Sequence, residues 1–232
     1  MARAPLVVMV LAGCSSGPSA EELREAIAAE VEEVSTLLAE HDTELQTALV
    51  EAENLEPGAA PCPVELPVPD PDGRLTFEFG EAPGGDLSRA RANRVGARHD
   101  RLETIEDRMN SLTRTQELKA TLRRAQGLSE PAPEQVVIFA ERSRVEPQLL
   151  PRETPDSDFV FDAGMRSGRL YLWQKGEGVV CVGDVTATNS SEVTRRFTGR
   201  LDDVDAAEAA LVTDLKHQTA LAAPDALRAP AQ

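Results

Sequence analysis

The chain has 232 residues and a formal net charge of −16, from 40 acidic and 24 basic side chains. That balance excludes the electrostatics of a nucleic-acid binder, which needs clustered Lys and Arg against phosphate. One Trp, one Tyr and six Phe leave the core to Leu, Val, Ile and Ala, which suits packed helices.

At the start, Arg3 precedes an apolar run of nine residues, 4–12, and small residues then lead into Cys14. Nine residues cannot span a hydrocarbon core, which needs about 20 in a helix. A short apolar run behind a positive charge and before small residues is a processing signal. The stretch Leu11-Ala12-Gly13-Cys14 resembles the lipobox of bacterial lipoprotein signal peptides. The resemblance implies cleavage before Cys14, lipid on its thiol, and a mature chain that hangs from a membrane facing the periplasm. Ser15 follows the cysteine where the enterobacterial sorting rule would want Asp for inner-membrane retention, so the outer membrane is favoured. Loss of residues 1–13 removes Arg3 and takes the charge from −16 to −17. The lipid, rather than surface charge, then provides the hold on the bilayer.

With Cys14 assigned to lipid, Cys62 and Cys181 remain as an even pair in an oxidising compartment, and a disulfide between them is expected.

Residues 14–19 read as a tether. Residues 20–55 contain no Pro or Gly and predict a long helix, with Ser19 and Glu22 as a capping box. Ile27, Val31, Val34, Leu38, His41, Leu45, Ala48, Ala52 and Leu55 form its heptad seam. The connection 57–85 is proline-rich, with one short strand over 74–79. A second long helix is predicted from Leu87 to Gln126, with Val95, His99, Leu102, Met109 and Leu112 on its seam. Over Glu21–Glu56 the first helix carries twelve acids against one Arg. Over Asp86–Gln126 the second carries six acids against ten basic residues. Complementary charge beside matched seams predicts that they pair antiparallel, as a coiled-coil-like hairpin over 20–126.

That pairing puts two histidines at similar heights. His41 lies 14 residues before Leu55, and His99 lies 12 residues after Leu87. Each is followed by an aspartate, Asp42 and Asp100, and Glu44 and Glu103 lie on neighbouring turns. A metal set drawn from these departs from the Glu-x-x-His spacing of helical di-iron sites. Polar seam residues that fix register, or a pH-sensitive pair, are the simpler readings.

Beyond Gln135 the period changes. Segments 135–140, 158–162, 169–173, 179–185 and 193–197 read as strands, with a hairpin turn at 175–178. A helix follows from Asp202 or Asp203 to Ala222, and Pro224 opens a loose tail over 223–232. The expected fold class is α+β: a long antiparallel helical hairpin plus a small antiparallel sheet with a C-terminal helix, the latter pair forming a domain over 133–222.

The sequence offers no phosphate loop, G-x-S-x-G, H-E-x-x-H or C-x-x-C. No catalytic residue, metal or cofactor is assigned. The expectation is a non-catalytic envelope lipoprotein whose partners are the bilayer, through Cys14, and an envelope protein. A small-molecule-binding or transport-accessory lipoprotein is the alternative, and an uncharacterised enzyme the third.

Overall fold

The computed structural model describes residues 17–56, 62, 77–109, 111–151, 160–193 and 203–228. The chain divides into two compact units, Met1–Val34 with Leu102–Ser129, and Ser35–Arg101 with Glu130–Gln232. Three helices contribute to both or to the first: α1 (Ala20–Glu51), α2 (Asn93–Met109) and α3 (Thr115–Gln126).

In the first unit, Leu23, Ile27, Val31 and Val34 of α1 are buried, as are Leu102 and Ile105 of α2 and Leu118, Thr121 and Ala125 of α3. Each set recurs at three- and four-residue steps, so each helix buries one stripe. The capping box at the head of α1 is formed. Ser19 N donates to Glu22 Oε2 at 2.7 Å, and Glu22 N donates to Ser19 Oγ at 3.2 Å. The backbone N–H of Ser19 and the Ser19 hydroxyl hold the exposed Glu22 carboxyl below its ordinary range.

The predicted hairpin of two long helices is corrected. α1 is long, but the second helix is divided. A 3₁₀ turn and a two-residue strand replace its start, and a break after Met109 separates α2 from α3. The carbonyl of Leu112, freed by that break, accepts from Arg24 Nη2 at 2.9 Å. A long-range donor thus satisfies a group that an unbroken helix would have bonded internally.

The second unit is built on a five-stranded sheet in the order β2-β1-β3-β6-β7. Its strands are β1 (Glu78–Ala82), β2 (Arg91–Ala92), β3 (Gln135–Val145), β6 (Met165–Gln174) and β7 (Gly178–Thr188). Two short strands, β4 (Gln148–Leu149) and β5 (Phe161–Asp162), pair separately. The sheet is mixed, not purely antiparallel, because β1 runs parallel to β3. A parallel pair needs a crossover, and α2 and α3 lie between these strands in the chain. The strand expected over 74–79 is observed as Glu78–Ala82, with residues 63–76 outside the described set. The expected strand over 193–197 also falls largely outside it.

Both faces of the sheet are covered, which explains the unbroken apolar run Val136, Val137, Ile138, Phe139 and Ala140 in β3. Alternate residues Phe79, Val137, Phe139, Leu170, Leu172, Cys181 and Val185 pack with Ala220, Ala223 and Leu227 of α4 (Asp203–Arg228). Trp173 and Tyr171 point the other way, and the Trp173 ring meets His41 of α1 edge-on, centroids 5.1 Å apart.

α4 runs through Pro224 to Arg228, beyond the end expected at Ala222. Proline costs a helix one hydrogen bond, about 3 kcal/mol. Full burial of Ala223 and Leu227 offsets that cost, so residues 223–228 are helix rather than loose tail. Gly183 of β7 lets α4 approach closely, since a methyl there would come within 2.7 Å of the Ala226 carbonyl oxygen. The predicted hairpin turn is present between β6 and β7, with Gly176 and Gly178 at φ 78° and 80°.

Candidate functional site

The most concentrated group of buried polar side chains in the second unit surrounds Asp42. α1 carries it inward because the buried stripe Leu38, Leu45, Leu49 widens at one turn to take both His41 and Asp42. Arg91 Nε of β2 donates to Asp42 Oδ2 at 2.9 Å. His99 of α2 places Nε2 3.3 Å from the same oxygen. His41 places Nδ1 3.8 Å from Asp42 Oδ1, and its Nε2 lies 3.3 Å from the Pro133 carbonyl, which accepts. The two seam histidines are thus brought to one carboxylate.

Four atoms here are buried without a hydrogen-bond partner among the described residues: His41 Nδ1, Asp42 Oδ1, His99 Nε2 and Trp173 Nε1. Buried orphans of this kind are uncommon and mark polar positions retained for a reason. The neighbouring Glu78 carboxyl caps α2. Its Oε1 accepts from Arg94 N at 2.6 Å, and its Oε2 pairs with Arg94 Nε at 3.1 Å. Burial pushes its pKa up, and the Arg94 backbone N–H and guanidinium only partly oppose this.

Two further clusters serve the opposite face. Arg166 is buried on the Phe139 ring, 4.7 Å from its centroid, and binds Glu81 and Glu141. Asp214 of α4 accepts from Ser190 N at 2.8 Å, Ser190 Oγ at 2.6 Å and Asn189 Nδ2 at 3.0 Å. Burial opposes its ionisation, yet these donors hold its pKa below the ordinary range.

Among the described residues no three His, Cys, Asp or Glu side chains are arranged to hold a metal ion. Of the groups the sequence placed near the histidines, Glu44 turns instead to the β6–β7 turn and accepts from Gly176 N at 3.0 Å. His217 is exposed on α4. Cys62 and Cys181 are joined by a disulfide with their Cα atoms 5.3 Å apart. Cys14 lies outside the described residues. Sequence reasoning missed Arg91, Trp173 and Glu78. The only signal for Glu78 is an acid within the Leu75, Phe77, Phe79 alternation, fifteen residues before the start of α2.

No family model, curated protein or solved structure matches the chain. The site must therefore be read on its own chemistry. Its charges are used against one another, joining α1 to β2 and α2. A cavity of about 330 Å³ lies nearby in the chain, lined by Glu134, Gln135, Gln174 and Lys175.

Proposed function

We propose that this protein is a bacterial envelope lipoprotein, held on the outer membrane through lipid on Cys14, with a non-catalytic periplasmic body that serves a structural or partner-binding role. The cysteine account carries the reading. With Cys62 bonded to Cys181, Cys14 is the one cysteine left, and it ends the stretch Leu11-Ala12-Gly13-Cys14. A disulfide also accords with an oxidising compartment outside the cytoplasm. The non-catalytic reading draws on how buried charge is used: Glu78 caps α2, Asp214 ties α4 to Ser190, and Arg169 donates to the Glu53 and Leu55 carbonyls past the end of α1.

Expression with the native leader in a lipoprotein-processing bacterium tests the anchor. The wild type should fractionate with membranes and begin at a diacylated Cys14 by mass spectrometry. Cys14→Ser should be unprocessed or leave the membrane. An unmodified mature chain that begins beyond Cys14 would overturn the reading.

A second reading, a small-molecule-binding or transport-accessory lipoprotein, is favoured by the cavity beside Lys175. Its lining of amide and charged groups suits a small polar ligand. Such a ligand should raise the melting temperature of the wild type and not that of Lys175→Ala.

A further inference from the structure

We infer that the exposed face of α3 bearing Lys119 and Arg123 is a docking surface for the anionic headgroups of the bilayer that holds the chain's own lipid anchor. The inference rests on the anchor reading above.

Lys119 and Arg123 are four residues apart, so they stand one turn apart on the same side of α3. Both are exposed, while Leu118, Thr121 and Ala125 fill the buried side. Neither cation is paired with a carboxylate among the described residues.

The second observation is where that face lies. Gly17 sits directly beside Lys119: a methyl on Gly17 would come 3.5 Å from Lys119 Nζ. Cys14 is three residues earlier, and a chain reaches at most about 3.6 Å per residue. The lipidated thiol therefore cannot be far from this ammonium, and the headgroups around the acyl chains lie within its reach. Juxtamembrane cations gain from anionic headgroups at that range.

Charge also selects the face. The first turns of α1 carry Glu21, Glu22 and Glu25, all exposed, which the same headgroups repel. An anionic surface thus favours contact through Lys119 and Arg123 over contact through these glutamates. The tether supplies proximity, and the helix charges supply orientation.

The chain has three lysines, Lys119, Lys175 and Lys216, which makes amine footprinting specific. Residues 14–232 would be purified with the Cys62–Cys181 bond intact and the free Cys14 thiol coupled to a maleimide lipid. The protein would be placed on phosphatidylcholine vesicles with or without phosphatidylglycerol and briefly acetylated. Lys119 should react several-fold more slowly on the anionic vesicles, with Lys175 and Lys216 unchanged. High salt or Arg123→Gln should reverse much of that protection. Equal rates at Lys119 on both vesicles, or equal slowing at all three lysines, would overturn the inference. Because the lipid is attached chemically, this result is independent of whether cells lipidate Cys14, which the N-terminal mass decides.

Discussion

Asp42 on α1 and His99 on α2 meet with 3.3 Å between carboxylate oxygen and Nε2, although 57 residues separate them in the chain. Arg91 binds the same oxygen from β2. One buried carboxylate thus joins three elements of the second unit, and its loss should be felt in all of them.

Asp42→Ala should destabilise the protein by about 2 kcal/mol. A fully buried pair broken on one side costs about 3–5 kcal/mol. The cost here is lower because Arg91 is 46 % exposed and recovers solvation when released. Chemical denaturation of the two proteins measures the difference. A difference near zero would show that the cluster does not hold α1.

Glu78 should make a pH-dependent contribution of the opposite sign to most carboxylates. Burial raises its pKa in the folded state. A raised value means the folded state favours the protonated form. The contribution is therefore present below the unfolded pKa, about 4.3, and is lost as pH rises through the folded pKa. Glu78→Gln keeps an acceptor for Arg94 N and cannot ionise. Urea melts between mildly acidic and neutral pH should show the variant gaining on the wild type as pH rises.

Asp214 should behave in the ordinary direction. Burial works against its charge, but donors from Ser190, Asn189 and Gln218 outweigh it and lower its pKa. Its contribution is present above the unfolded pKa, about 3.9, and is lost as pH falls through the folded value. The stability gap between wild type and Asp214→Asn should be flat near neutrality and close only in acid. A gap that widens in acid would contradict the hydrogen-bond account.

The bond between Cys62 and Cys181 closes a sequence separation of 119 residues. In the chain-entropy model such a closure stabilises by about 4–5 kcal/mol, and measured gains often fall short. Cys62→Ser with Cys181→Ser should lower the melting temperature, and non-reducing peptide mapping should find the two cysteine peptides joined. Free thiols in protein trapped under alkylating conditions would remove the bond from the account of stability.

Much of the second unit was legible in the sequence. The 175–178 turn needs glycines at positive φ, and Gly176 and Gly178 supply them. Local chemistry settles such features within a few residues. Ser19 and Glu22 are a further case, since each satisfies the other three positions away. The seam of α1 was also readable as far as Ala52, except that Leu49 takes the buried place beside a half-buried Ala48, and Leu55 is exposed. A heptad drifts against 3.6 residues per turn, and only the surface being covered decides which residue is buried.

What the sequence by itself determined is the set of local elements: a capped helix, a glycine hairpin and an apolar strand. What tertiary structure alone decided is who meets whom. Arg24 answers the break after α2 by donating to the Leu112 carbonyl across 88 residues. β1 pairs parallel to β3, and burial of Ala223 and Leu227 carries α4 through Pro224. Asp42 sits within reach of both histidines. The physical reason is common to all four. Propensity and capping act over a turn or two, whereas burial and the pairing of stranded polar groups are satisfied by residues that no periodicity places near one another.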